Sequence, residues 1–252
     1  MSKIVNSFKA LESVSREMGK RKALGQHYLV DPMVVRQVIE LACVKRGERV
    51  LEIGTGRGAL TELLCEVSDR FEAFELDEAN YLATRKRVRG MRVLLHLGDA
   101  FSASPVFDVL VSSLPYSESS AFIEWLSQRR YDRAIVVLQK EFVEKLMSPP
   151  GRRNYRAISV ILQTSSTIRV VERIHREAFV PPPRVASVLA VIKSKRTLTP
   201  QQIGAVKMLF SQKKRKLGAA LKHLGLERDV PSESLAKRIW DLPAPEIMGI
   251  IG

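Results

Sequence analysis

Long hydrophobic runs are missing from this chain. Its most apolar stretches, RAIVVLQ and ASVLAVI, are of strand length and fall far short of the ~20 residues that cross a bilayer, so no membrane partner is expected. The N-terminal MSKIVNSFKALESVSREMGKRK is polar and charged, without the apolar segment and cleavage site of a secretory signal; a cytoplasmic protein is expected. Cysteine is scarce as well. Cys43 and Cys65 are the only two in 252 residues. Both fall in helix-like apolar patterns without metal-ligand spacing, which argues against disulfides and zinc, and both read as core residues. No metal site is expected.

Acidic residues are the third shortage. Asp and Glu number 27 against 41 Lys and Arg, a net charge of +14 and an isoelectric point near 10.0. From Ala178 to Leu226 there is no acid at all, while Lys193, Lys195, Arg196, Lys207, Lys213, Lys214, Arg215, Lys216 and Lys222 fall in that span. Such a surface suits a polyanionic partner, although a charge run alone also describes a solvated face.

What is present is enough apolar material for a sizeable core, 45% of residues. Strand-like runs ERVLEIG, FEAFELD, RVLLHLGD, FDVLVSSLP and RAIVVLQ alternate with segments of helical length, the pattern of a mostly parallel α/β sheet. DPMVVRQVIELACVKRGE reads as a helix capped by Asp31, with Pro32 at its first position and its end at Gly47. AISVILQTSSTIRVVERI and ASVLAVIKS complete the apolar material. Beyond Lys193 the pattern turns helical, beginning at Thr199-Pro200. We therefore expect residues 1–192 to form an α/β domain with an N-terminal extension and 193–252 a small all-α domain. No internal repeat or low-complexity tract interrupts either.

LEIGTGRGAL places Gly54, Gly56 and Gly58 between a strand and a helix, a turn that lets a ligand approach the backbone. Glu75 ends the next strand, where a carboxylate can accept from both hydroxyls of a ribose. Gly54, Gly56 and Ala59 also satisfy the loose dinucleotide pattern, so the loop alone fits either NAD or S-adenosylmethionine. Asp99, past the third strand, lies on the same carboxyl edge and can accept from an adenine amino group, or simply cap its own turn.

Ser113, Leu114, Pro115 and Tyr116 follow the fourth strand on that edge. An adenine amino nitrogen is a poor nucleophile because its lone pair is delocalised into the ring. A side-chain oxygen and a backbone carbonyl that accept its two N–H groups aim the lone pair at an electrophile, and an aromatic can stack on a flipped-out base.

In this order the motifs resemble the ribosomal RNA adenine dimethyltransferases, from about Lys20 to Leu224. KRKALGQHYLVDP is similar to the family's N-terminal motif, in which Gln26, His27 and Leu29 would border the cofactor. LEIGTGRGALT, ELD and GDA resemble its methionine, ribose and adenine contacts. FVPPPRVASV resembles the late motif whose aromatic, here Phe179, helps hold the target base. LFSQKKRKLGAALK resembles the basic segment, so Lys213, Lys214, Arg215 and Lys216 would contact phosphates. The resemblance implies a Rossmann-like S-adenosylmethionine-dependent methyltransferase sheet. It also implies S-adenosyl-L-methionine as cofactor, with ribosomal RNA in the small ribosomal subunit or its precursor as partner, and a monomer acting on two adjacent adenines.

The chain departs from the family at Ser113, where Asn is usual, at Tyr28 in place of Phe, and at Lys213 and Lys214 in place of an Arg pair. Two other readings stand beside it. One is a silent RNA-binding assembly factor, supported by Ser113 and the basic C-terminal region. The other is an NAD-dependent oxidoreductase, supported only by the Gly54 loop. Cytosine-5 chemistry is disfavoured because neither cysteine adjoins a strand end.

Overall fold

The computed structural model describes residues 27–226 and 230–252. In chain order it contains β1 (Tyr28–Leu29), α1 (Pro32–Ala42), β2 (Arg49–Ile53), α2 (Ala59–Val67), β3 (Arg70–Glu75), α3 (Glu78–Arg87), β4 (Leu94–Leu97) and β5 (Val109–Ser112). Then come α4 (Ser119–Leu126), β6 (Arg133–Gln139), α5 (Lys140–Leu146), α6 (Ala157–Ser165), β7 (Ser166–Ile174), β8 (Phe179–Val180) and β9 (Ser187–Ser194). The helices α7 (Pro200–Ser211), α8 (Leu217–His223), α9 (Ser232–Ala236) and α10 (Ala244–Ile251) follow. Among the described residues no helix is long and apolar enough to cross a membrane, and no His, Cys, Asp and Glu cluster could hold a metal ion.

The five alternating runs are the parallel strands β2 to β6, and the seven-stranded sheet runs β4-β3-β2-β5-β6-β9-β7. Strand β2 pairs with β3 on one side and β5 on the other. The strand order reverses there, and open α/β sheets bind ligands in the crevice at that point. Strand β9 pairs antiparallel with β6 and β7.

Strand β5 is buried throughout, as a strand with helices on both faces must be. Leu110 packs with Phe122, Ile123 and Leu126 of α4, whereas Val109 and Val111 pack with Val38 of α1 and Leu60 and Leu64 of α2. A third core gathers Val206, Leu217, Ile239 and Ile247 onto Tyr155, Val160 and Ile161, and the buried Tyr155 hydroxyl donates to the Leu242 carbonyl at 3.1 Å.

Two expectations need correction. Helix α1 opens as read, with Asp31 accepting from the Met33 and Val34 N–H groups, but ends at Ala42 because Cys43 turns left-handed at φ 44°. Cys43 is not a core residue but exposed, and Cys65 is only half-buried, packed against the edge of the core, its thiol pushed up to about 11 chiefly by burial.

Arg133 holds the end of α1 to the sheet. Its Nε donates to the Ala42 carbonyl at 2.6 Å and Nη2 to the Cys43 carbonyl at 2.8 Å. Nη1 and Nη2 grip the two oxygens of Glu48 at 3.0 and 2.7 Å. One guanidinium thus satisfies two helix-terminal carbonyls and a carboxylate, in a pair only 14% exposed on each side. Arg133→Ala is expected to destabilise the protein by about 2–3 kcal/mol in urea denaturation. A loss below about 0.5 kcal/mol, the range of an ordinary surface substitution, would mean that water replaces the network.

Candidate functional site

The cavity is built at the carboxyl ends of β2, β3 and β5. After Ile53 the chain turns through Gly54 at φ +80° and Gly56 at φ +54°. A Cβ on Gly54 would lie 3.0 Å from Leu114 Cδ2, and one on Gly56 3.0 Å from Tyr28 Cδ1. Both positions are left-handed and crowded, so only glycine fits without strain.

Glu75 organises the turn. Its Oε2 accepts from the Gly56 N–H at 2.8 Å and the Thr55 hydroxyl at 3.3 Å, while Oε1 accepts from the Asp77 N–H at 3.0 Å. Burial raises its pKa, opposed by these donors. Asp77 then caps α3 by accepting from the Asn80 N–H at 2.9 Å, and Asn80 Oδ1 accepts from the Tyr28 hydroxyl at 3.0 Å. The Arg57 guanidinium lies 5.2 Å from the centre of the Tyr28 ring. The glycine loop, β1 and the start of α3 are therefore fastened around one carboxylate.

The cavity, about 340 Å³, is lined among others by His27, Leu29, Gly54, Gly56, Glu75 and Ser113. Its size is that of a small-molecule site. A backbone open to close approach beside a buried carboxylate fits the ribose and methionine parts of S-adenosylmethionine.

The opposite wall is the Ser113–Tyr116 turn. Neither the Ser113 hydroxyl nor the Leu114 carbonyl has a hydrogen-bond partner among the described residues. Tyr116 is held by a 2.5 Å hydrogen bond between its hydroxyl and Ser187 Oγ. Burial raises the Tyr116 pKa, keeping the phenol neutral. The His27 ring centre is 5.6 Å from that of Tyr116, and His27 Nδ1 donates to the Pro181 carbonyl at 2.7 Å. Pairing of β1 with β8 sets Leu29 opposite Phe179, bringing the N-terminal and late motifs together.

Other expected residues lie elsewhere. Gln26 is outside the described residues. Asp99 does not line the cavity; its oxygens accept from the Phe101 N–H at 2.8 Å and the Ser102 hydroxyl at 2.7 Å. Phe179 is 1% exposed and packs in the core with Leu29, backing the wall. Lys214, Arg215 and Lys216 are exposed on the turn between α7 and α8, while Lys213 is half-buried. The Lys213 ammonium lies 5.9 Å from the Trp240 ring centre.

Sequence reasoning missed Ser187, Asn80 and Arg57. Ser187 lies inside the quoted FVPPPRVASV motif, yet its bond to Tyr116 joins residues 71 positions apart. It missed Glu52 too. This residue of β2 is fully buried and neither carboxyl oxygen is satisfied. Burial pushes it up to about 8, reinforced by the Glu75 charge.

The raised pKa fixes the sign of a pH effect. Unfolded Glu52 ionises around its ordinary 4.5, whereas the folded group stays protonated to about 8. Wild-type stability is therefore undiminished by this group below 4.5 and falls as pH rises to 8. Glu52→Gln removes that loss. The stability difference between variant and wild type should grow in the variant's favour across this window, by at most about 1.4 kcal/mol per pH unit, in denaturant titrations at several pH values. A difference independent of pH would contradict the assignment.

Comparison with known proteins accords with this geometry. The family model for ribosomal RNA adenine dimethylase matches residues 18–238. A probable ribosomal RNA small subunit methyltransferase A of Thermococcus gammatolerans is 31% identical over 242 residues, 91% of this chain and 87% of that one. A ribosomal RNA small subunit methyltransferase A of Thermotoga neapolitana is 35% identical, covering 78% of each. The crystal structure of a dimethyladenosine transferase from Plasmodium falciparum superposes with a TM-score of 0.75 at 25% identity, covering 89% of this chain and 99% of that one. Matching sequence, sheet and loop order leave no place for the nicotinamide reading: the chain belongs to the ribosomal RNA adenine dimethylase family.

Proposed function

We propose that this chain, acting as a monomer in the cytoplasm, methylates the N6 amino groups of two adjacent adenines near the 3′ end of small-subunit ribosomal RNA. The substrate is the subunit or its precursor, and the reaction accompanies ribosome assembly. Residues 1–192 carry the chemistry and the basic helical segment 193–252 grips RNA. The observation that carries this reading is the pair of unengaged acceptors, Ser113 Oγ and the Leu114 carbonyl, at a cavity whose other wall is the glycine loop with Glu75.

S-adenosylmethionine supplies a methyl group on a positively charged sulfur, open to attack by an amine. Glu75 accepts from the ribose hydroxyls, and Gly54 and Gly56 let the backbone approach the methionine part. Asp99, past β4 and outside the lined cavity, would reach the adenine amino group only where the cofactor extends beyond that cavity, using lone pairs its present donors leave free, while Gln26, His27 and Leu29 would border the pocket. On the substrate side, Ser113 and Leu114 accept the two N–H groups of the target amine and fix its lone pair. Pro115 stiffens that turn. Tyr116, steadied by Ser187, stacks on the base, and Phe179 supports the wall from behind. No side-chain base is required: methylation makes the amine proton acidic enough for water to remove, so positioning carries the rate.

The second transfer tests the site most sharply, because the singly methylated amine has one N–H left to hold. Ser113→Asn should preserve or raise the dimethyl product. Tyr116→Ala should lower kcat/KM by the ~1–3 kcal/mol of a base–aromatic stack, roughly 5- to 150-fold. Mass spectrometry of nucleosides from treated subunits separates unmodified, monomethyl and dimethyl adenosine. If wild type gives no methyladenosine on any assembly intermediate while Ser113→Asn does, the silent assembly factor is the correct reading.

A further inference from the structure

A second concavity, about 1010 Å³, opens between α5, the 147–156 loop and the outer part of β7. Lys140, Arg152, Arg153, Arg156 and Arg173 line it. Its one acid, Glu144, is already 3.5 Å from Lys140 Nζ. Exposed Met147 and Val170 supply apolar surface between the cations. Five cations around one neutralised acid make a surface for a polyanion, and guanidinium groups bind phosphate oxygens in a forked geometry.

The position of this groove decides what the polyanion is. One end touches the catalytic wall: the Lys140 N–H donates to the Ala186 carbonyl at 2.9 Å, next to the Ser187 that holds Tyr116, and Val188 lines the groove itself. The other end touches the basic turn. The Gly151 N–H donates to the Trp240 carbonyl at 2.8 Å, and the Trp240 N–H to the Lys213 carbonyl at 3.2 Å. Burial first, and then the Arg156 and Lys214 charges, hold Lys213 below its ordinary pKa, so Arg156 and Lys213 belong to one field. The groove is the stretch of positive surface that joins the cavity to Lys213–Lys216.

We infer that this groove binds the phosphodiester backbone of the RNA strand leading to the target adenine, as a contact separate from the basic turn. The inference rests on the RNA-methylating reading above. Apolar patches between arginines suit an unpaired strand, whose bases can lie on side chains and guanidinium planes, better than a continuous duplex.

The test combines Arg152→Gln, Arg153→Gln and Arg173→Gln, all at exposed positions, and adds Arg173→Glu alone as a second variant. Binding to unmodified small-subunit ribosomal RNA is followed across a salt series, with melting temperature and S-adenosylmethionine affinity as controls. The triple variant should bind more weakly and lose roughly 0.7–0.9 from the log–log salt slope for each phosphate contact removed, with cofactor affinity unchanged. Arg173→Glu should also weaken binding. A wild-type slope in both variants would overturn the groove while leaving the proposed function intact. Weakened binding to whole subunits with undiminished binding to naked RNA would overturn it in favour of a ribosomal protein. A wild-type protein that neither binds nor methylates the RNA would remove both the proposed function and the groove.

Discussion

The site depends on one buried carboxylate shared between two backbone turns. Glu75 receives the Gly56 N–H on one oxygen and the Asp77 N–H on the other, so the loop after β2 and the start of α3 cannot move independently. The left-handed glycines make that loop tight enough to be reached, and Leu114 and Tyr28 close on it to the limit of contact from opposite sides. A carboxylate that arranges its own surroundings by accepting two N–H bonds is also pre-organised to accept from a ligand's hydroxyls, because the cost of its burial is already met in the folded protein.

The second wall comes from further along the chain. Strand β9 inserts antiparallel between β6 and β7 and carries Ser187 to the carboxyl edge, opposite Gln139, where it meets the Tyr116 hydroxyl. The short β1–β8 ladder folds the N-terminal motif across the same edge. The acceptor turn is thus held by hydrogen bonds among distant segments, while its own two acceptors remain unengaged. That division suits a reaction that gains its rate from orientation.

The alternation of apolar runs made the parallel strands legible, and their order placed the glycine loop, Glu75, Asp99 and Ser113–Tyr116 on one edge. Asp31 with Pro32, and Thr199 with Pro200, marked helix starts because capping is local chemistry. The end of α1 was not legible. It depends on Cys43 accepting a left-handed conformation under the grip of Arg133, a residue 90 positions away. Burial of Phe179, exposure of Cys43 and the Ser187–Tyr116 bond likewise depend on long-range packing, which periodicity does not encode. Glu52 was hidden for another reason: a carboxylate inside an apolar run reads as the exposed face of a strand until both faces of the sheet are seen to be covered.

Charge adds the third layer. The acid-free span from Ala178 to Leu226 contains the basic turn, yet the groove beside it is supplied largely by α5 and the 147–156 loop, outside that span. The central claim, however, is the nucleoside pocket built on Glu75, and calorimetric titration of S-adenosylmethionine into wild type and Glu75→Ala tests it most directly. The account predicts measurable binding by wild type and a loss of about 1.5–3 kcal/mol in the variant, the worth of hydrogen bonds to a charged group. Equal affinity in the two proteins would contradict it.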